Sequence, residues 1–355
     1  MSLFLNSEPE TNDPMSPEQQ HSESSMTLQP AEALAIEENT PMRKKVLLLI
    51  NERAVAGSAK GKLFEIVSAL ALAHCEVTVY PILPSAGITS ESIFADVIRE
   101  QRTYDLIACS GGDGTLNHVM HCMIAWNLAL PVLYFPAGTT NDFARTLNIP
   151  TEVKEITSLL TSGDLFHYDI GCFNDKHFNY IAAFGAFTSV SWSTDQGFKN
   201  ALGYGAYFLE GIRSAGDALR SRCPMKITCD GTTIEGDFLF GAVSNSTSVA
   251  GFRTQALEQA ALNDGVFEVI LIKAPNDLSG IAELLNIMRL AISDSSSDAL
   301  QGNDAFQILH AREIHVEAEQ PISWTLDGEY GGEPKNVDIQ VLPQRGCIYV
   351  PGPLV

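Results

Sequence analysis

An apolar run, Leu106-Ile107-Ala108-Cys109, leads straight into Ser110-Gly111-Gly112-Asp113-Gly114-Thr115-Leu116-Asn117. A stretch of helical spacing follows, with Val119, Met120, Met123 and Ile124 on one side. Strand, glycine-rich turn and helix start, in that order, form the geometry of a phosphate cradle. Glycine lets the backbone approach phosphate oxygens, and a helix N-terminus presents free N–H groups at its positive end. Asp113 inside the turn is out of place for a bare anion site, because a carboxylate repels phosphate. A divalent cation or a cation-bound water between the two removes the conflict. The segment therefore points to a nucleoside triphosphate with Mg²⁺.

The surrounding chain fits an α/β sheet. Val46-Leu47-Leu48-Leu49-Ile50 is a continuous apolar run of the kind buried on both faces of a parallel sheet. Residues 63–73 and 93–102 have helical spacing, and 76–80, 105–109 and 131–135 read as strands. This alternation predicts a parallel sheet with ligand loops at the carboxyl ends of its strands. After Pro150 the texture changes. A helix is expected over 153–161 and a strand over 166–170. Short alternating runs then follow at 176–183, 225–229, 232–244, 266–272, 313–318, 322–326 and 337–341, with helical insertions near 204–219 and 277–293. This predicts a β-rich second domain, sandwich- or barrel-like.

Composition sets further bounds. The first 40 residues hold Glu8, Glu10, Asp13, Glu18, Glu23, Glu32, Glu37 and Glu38 and no Lys or Arg, so 1–42 is expected to be a disordered acidic tail. The formal charge of −21 leaves −13 for the remainder. That argues against a nucleic-acid partner, whose phosphates need Lys and Arg, and against a simple electrostatic hold on anionic membranes. Arg213, Arg220, Arg222 and Lys226 are either a local basic patch or a solvated face. Seven scattered cysteines without a C-x-x-C pair fit a reducing compartment. The N-terminus has no basic segment ahead of an apolar one, and no run of 18 apolar residues occurs. A cytoplasmic protein with transient membrane contact is expected.

Two more segments sharpen the reading. Pro136-Ala137-Gly138-Thr139-Thr140-Asn141-Asp142-Phe143-Ala144-Arg145 follows the apolar Val132-Leu133-Tyr134-Phe135, and Leu326-Asp327-Gly328-Glu329 lies far down the chain. With these at this spacing, the chain from about Lys44 onward resembles the diacylglycerol-kinase catalytic family, in its soluble bacterial branch. The resemblance implies an α/β nucleotide-binding domain over 43–150, a β-rich lipid-substrate domain over 151–330, and a segment 331–355 that packs back on the first. It implies transfer of the γ-phosphoryl of ATP, with Mg²⁺, to a lipid hydroxyl, diacylglycerol or a related lipid, at the membrane surface. A homodimer is left open.

Site residues follow from the same resemblance. Asn51, Gly57, Gly111, Gly112, Asp113, Gly114, Thr115, Leu116, Asn117 and Thr139 would form the ATP cradle, with Asp113 acting through Mg²⁺. Glu329 would be the general base, and Asp327 would orient it or bind metal. From the residues alone, Asp327-Gly328 reads equally as a hairpin turn. Asp264, with carbonyls of Ala261 and Val266, would hold a structural Mg²⁺; an Asn-Asp-Gly turn is the competing reading. Asn141 and Asp142 are either ordinary helix caps or direct contacts, and Arg145 pairs with Asp142. Asn245, Ala250-Gly251 and 199–207 are further matches. Phe184, Phe187, Trp192 and Phe208 are candidate walls of an apolar pocket.

The chain departs from the family at three places. The first loop reads Asn51-Glu52-Arg53-Ala54-Val55-Ala56-Gly57-Ser58, His118 replaces a glutamate, and a threonine is missing near Tyr80-Pro81-Ile82-Leu83-Pro84. His118, His121 and Cys122 also raise a metal site, although most such pairs are surface or packing histidines. Two other functions are compatible with the motifs: an NAD kinase, which shares Gly-Gly-Asp-Gly-Thr, and a catalytically weakened nucleotide- or lipid-binding regulator.

Overall fold

Period-two alternation along the first strands divides the α/β region into three layers. β1 (Lys44–Asn51) pairs in parallel with β2 (Cys75–Ile82) and with β3 (Leu106–Gly111), and β3 pairs in parallel with β4 (Val132–Pro136). Val46, Leu48, Ala108, Leu133 and Phe135 face α1 (Ala59–Leu72) and α5 (Val153–Ser162), meeting Ile66, Leu70, Val153 and Ile156. Leu47, Leu49, Ile107, Cys109 and Tyr134 face α2 (Ser90–Arg99) and α3 (Asp113–Ala125), meeting Phe94, Val97, Leu116, Val119 and Met120. From Val46 onward β1, with β3 and β4, is buried on both faces and carries continuous apolar runs, whereas β2, at the edge, keeps Glu76 exposed. The computed structural model describes residues 42–51, 59–138, 141–185, 222–245, 261–277 and 304–352, together with 280, 282, 283 and 286. The acidic stretch to residue 41, Gly57 and its loop, Thr139, Phe187, 192–220 and 250–251 lie outside them.

The remainder is β-rich. β5 (Asp164–Phe173), β6 (Lys176–Phe178), β7 (Ile181–Gly185), β8 (Cys223–Cys229), β9 (Thr232–Ser244) and β10 (Phe267–Lys273) are followed by β11 (Phe306–Ala311), β12 (Glu313–Ala318), β13 (Trp324–Leu326), β14 (Glu329–Gly332) and β15 (Asn336–Val350). Hydrogen-bonded neighbours run β14-β13-β7-β9-β8-β12-β15 and continue into β4-β3-β1-β2. β15 joins the two regions: its first part pairs with β12, its length with β5, and Ile348 with Val132 of β4 in parallel. Phe173, Phe178, Phe184, Phe238, Phe267 and Trp324 fill the core of the β-rich part.

Several elements differ from expectation. The run 176–183 is two strands, because the N–H groups of Asn179, Tyr180 and Ile181 turn away to bond a side chain. The expected strand 337–341 extends to Val350 around a bulge between Leu342 and Gly346. Asp169, with no exposed surface, holds that bulge by accepting from Gln344 N at 2.7 Å. Gly346 is required there, since a Cβ would stand 2.3 Å from the Tyr168 ring. Positions 280, 282, 283 and 286 of the expected 277–293 helix are helical. Arg222 pairs with Asp237 at 3.2 Å and Lys226 with Glu317 at 3.6 Å, which favours a solvated face over a basic patch. All seven cysteines are free. Among the described residues no helix is long and apolar enough to cross a membrane.

Candidate active site

Asn51, Gly111 and Pro136 end adjacent parallel strands, so their loops share one edge of the sheet. Two glycine turns cross there. A Cβ on Gly138 would stand 2.6 Å from Gly112 Cα, backbone that has no room to yield. Gly111 is as tightly held: a Cβ would lie 2.5 Å from the Thr115 side chain, and its carbonyl accepts from Ala137 N and from the Tyr134 hydroxyl. Asn51 donates to Thr115 Oγ1 at 2.8 Å, tying β1 to the helix. Leu116 points into the core.

α3 starts without a side-chain cap. Its first intrahelical bonds run from Thr115 N and Leu116 N to Gly112 O. The amides ahead of Thr115 are those a helix leaves without an internal partner, in the arrangement that receives an anion.

Asp113 does more than sit in the turn. Its carboxylate accepts from Asp142 N at 2.9 Å and Phe143 N at 3.3 Å, capping the short helix α4 (Asp142–Thr146) from a neighbouring element. Asn141, open between a cap and a direct contact, does not cap α4. It adopts φ +49° and closes a two-way amide bond with the Gly138 N–H and carbonyl, both 2.9 Å, which fixes the second glycine turn. Asp142 pairs with Arg145 at 3.7 Å.

Burial pushes the Asp113 carboxyl up to about 6, with Asp142 and Asp327 adding to it against the two backbone donors. The folded state therefore keeps this proton to higher pH than the unfolded chain. The stability it contributes is present below about pH 4 and is lost as pH rises through about 6. Asp113→Asn retains an acceptor but has no charge to bury. Its urea midpoint is expected to gain on wild type between pH 4 and 6. Asp113→Ala, which uncaps α4, should lose about 1 kcal/mol at pH 5.

The distal segment closes the site. Asp327 (φ +49°) and Gly328 (φ +85°) form the two-residue turn between β13 and β14, with Leu326 opposite Glu329. Two positive φ angles are what such a hairpin needs, so the turn reading of Asp327-Gly328 holds. The turn also brings a carboxylate to α3. Glu329 reaches α3: a Cβ on Gly114 would stand 2.8 Å from Glu329 Oε1. The exposed carboxylate of β14 thus lies against the first turn of the cradle helix, although 215 positions separate Gly114 from Glu329.

Asp327 is buried, and both its oxygens are taken up by protein donors. Oδ2 accepts from Asn179 N, Asn179 Nδ2 and Asn117 Nδ2, and Oδ1 from Tyr180 N and Ile181 N. Burial pushes this carboxyl up, while five donors and no competing acceptor suit its ionised form. Asp327 is an anchor in this geometry, and its oxygens are not free for a metal.

His121 turns to His177, with Nδ1 to Nδ1 at 2.8 Å, and His118 turns to Glu91 at 3.3 Å. Cys122 is buried. Burial, His121 and Arg345 push the His177 imidazole down to about 4. Packing histidines, not a metal triad, describe this cluster. Among the described residues no three His, Cys, Asp or Glu side chains converge as a metal cage. A Mg²⁺ here would share its oxygens with nucleotide phosphates, as this cation commonly does.

Ala261, Asp264 and Val266 lie in an exposed turn where Asp264 Oδ1 accepts from Val266 N at 3.1 Å. Asp169 pins that turn by accepting from Gly265 N at 2.6 Å, and Asn245 holds it through the Leu262 and Asp169 carbonyls. An exposed carboxylate beside main-chain carbonyls is a hard-oxygen donor set, which fits Mg²⁺. The same bonds make a stable Asn-Asp-Gly turn without metal. Phe184 is buried against Trp324, ring centroids 4.8 Å apart, and belongs to the core rather than to a pocket wall.

Asn179 and Tyr168 carry no motif and were not expected at the site. The Tyr168 hydroxyl donates to Asn179 Oδ1 at 2.9 Å, and Asn179 in turn supports Asp327. The available signal was an asparagine inside the apolar-alternating run 176–183.

Residues 45–173 match the model of the diacylglycerol kinase catalytic domain. The chain is 32% identical over 235 residues to a diacylglycerol kinase of Bacillus subtilis (strain 168), covering 65% of this chain and 73% of that one. It is 28% identical over 292 residues to a diacylglycerol kinase of Staphylococcus carnosus (strain TM300), covering 82% and 90%. The fold is similar to the crystal structure of a diacylglycerol kinase from Bacillus anthracis str. Sterne, with a TM-score of 0.65, 24% identity, and coverage of 86% of this chain and 97% of that chain.

Proposed function

The chain belongs to the diacylglycerol kinase catalytic-domain family, and from that premise we propose that it is an ATP-dependent lipid kinase that phosphorylates the hydroxyl of diacylglycerol or a related lipid. The observation that carries this reading is the contact between Glu329 and Gly114. Phosphoryl transfer needs a phosphate held in place and a base beside the attacking hydroxyl. Here the exposed carboxylate of the hairpin, Glu329, stands at the uncapped start of α3.

The uncapped amides of α3 hold nucleotide phosphate oxygens, and the crossed turns at Gly112 and Gly138 keep side chains out of the cradle. Bound Mg²⁺ supplies neutralisation of the phosphate charge. Glu329 accepts the proton of the lipid hydroxyl as its oxygen attacks the γ-phosphorus, the bond from that phosphorus to the bridging oxygen breaks, and ADP leaves. Asp113 holds α4, and through Asn141 the second glycine turn, against the first. Under this reading the nucleotide is held by the α/β region over 43–150 and the lipid meets it from the β-rich region over 151–330, at a membrane surface that the protein contacts peripherally. The Asp264 turn is proposed as the structural cation site.

Membership of the diacylglycerol kinase family favours a lipid acceptor over NAD, and Glu329 against Gly114 favours an active kinase over an inactive regulator. The test is transfer of labelled phosphate from ATP with Mg²⁺ to diacylglycerol, sphingosine, ceramide, phosphatidylglycerol, a polyprenol and NAD. A labelled lipid names the substrate class. Label on NAD alone, or no label with ATP binding intact, contradicts the proposal.

A further inference from the structure

We propose that Asn117 is a positioning residue that acts on Glu329 through Asp327, and not a nucleotide ligand. This rests on the kinase reading of Glu329. Gly114, Asn117 and His121 lie at i, i+3 and i+7 of α3, on one face. Each meets the same neighbouring structure: Gly114 meets Glu329, Asn117 meets Asp327, and His121 meets His177. Asn117 is the centre of this docked face.

Its amide has no hydrogen left for a phosphate. One N–H donates to Asp327 Oδ2 at 2.5 Å and the other to the His177 carbonyl at 3.2 Å. The amide orientation is fixed by chemistry, since a carboxylate and a carbonyl both require a donor. Asp327 then spends its other capacity on Asn179, Tyr180 and Ile181. A single buried carboxylate therefore joins the cradle helix, the β6–β7 link and the hairpin that carries Glu329. Without Asn117 the hairpin keeps its turn and its strand pairing with β7, but Asp327 loses its tie to α3, so the bonds it accepts from the amides of 179–181 open more often and the register against α3 is lost. Glu329 then drifts relative to the phosphate that α3 holds. Misplacement of this kind, by about 1 Å, costs up to about 10²-fold in rate.

The test uses the full chain with Asn117→Ala and, from the opposite side of the same carboxylate, Asn179→Ala. ATP·Mg²⁺ affinity, kcat and amide hydrogen exchange are measured for each. Expected are unchanged ATP affinity, a kcat lowered about 10- to 10²-fold, and faster exchange at the amides of 179–181 in Asn117→Ala. The double variant should lose less than the product of the single losses, because both act through one group. Amides of β1 must keep their protection, which separates loss of the clamp from unfolding. ATP affinity that falls in step with activity, while exchange at 179–181 stays unchanged, overturns the proposal, as does an unchanged kcat in both variants. If the wild type transfers no phosphate, the kinase reading fails. Exchange then decides: lost protection at 179–181 sustains the clamp, and unchanged protection overturns it.

Discussion

Glu329→Gln should lower lipid phosphorylation by about 10²- to 10⁴-fold, the usual contribution of a positioned general base. Glutamine keeps the size of the side chain and its place against Gly114 but cannot take the hydroxyl proton. ATP·Mg²⁺ binding and the unfolding midpoint should both be unchanged, since Glu329 is exposed and its hairpin is held by Asp327, not by its own carboxylate. A rate within threefold of wild type would remove Glu329 from the chemistry. Kinetics with saturating ATP and a diacylglycerol dispersion would decide it.

Gly114→Ala should produce a comparable loss by a different route. The new methyl would lie 2.8 Å from Glu329 Oε1 and 3.3 Å from its Cγ. The flexible side chain yields and the helix does not, so the carboxylate swings off the phosphate. A fall of about 10²-fold in kcat follows from misplacement alone. Stability should move the other way, because alanine in a helix is favoured over glycine by up to about 1 kcal/mol. Gain of stability with loss of activity is a combination that a packing defect does not give. An urea titration beside the rate measurement reads both.

These contacts also show what was legible in the sequence. The parallel strands were, because burial on both faces leaves continuous apolar runs such as 46–50. The glycine turns were too, because a turn that crosses another at Gly112 and Gly138 has to be built of glycine. What short-range pattern does not encode is where a carboxylate looks. Asp113 read as a cation partner and is first a cap for α4. Asn117 read as part of the cradle and faces the hairpin. Asn141 read as a cap or a direct contact and locks Gly138. Asn141 is held locally by Gly138, three positions back, whereas Asp113 and Asn117 are directed by residues 29 and 210 positions away, brought near by folding. The strand 176–183 was misread for the same reason: its break at Asn179 is caused by Asp327, a residue of another hairpin. β14 was missed because Glu329-Tyr330-Gly331-Gly332 lacks an alternating apolar pattern, and its pairing comes from the preceding turn. His118 and His121 looked like a cluster in sequence, yet i and i+3 on α3 are drawn to different partners, Glu91 and His177.

The reaction proposed for this site is transfer of phosphate from ATP onto a lipid hydroxyl. One reaction tests it most directly: labelled ATP, Mg²⁺, diacylglycerol vesicles and NAD together with the full-length protein, followed by phase extraction. Label is expected in the organic phase, dependent on Mg²⁺ and absent with Glu329→Gln. Label confined to the aqueous nucleotide fraction, as phosphorylated NAD, would contradict it.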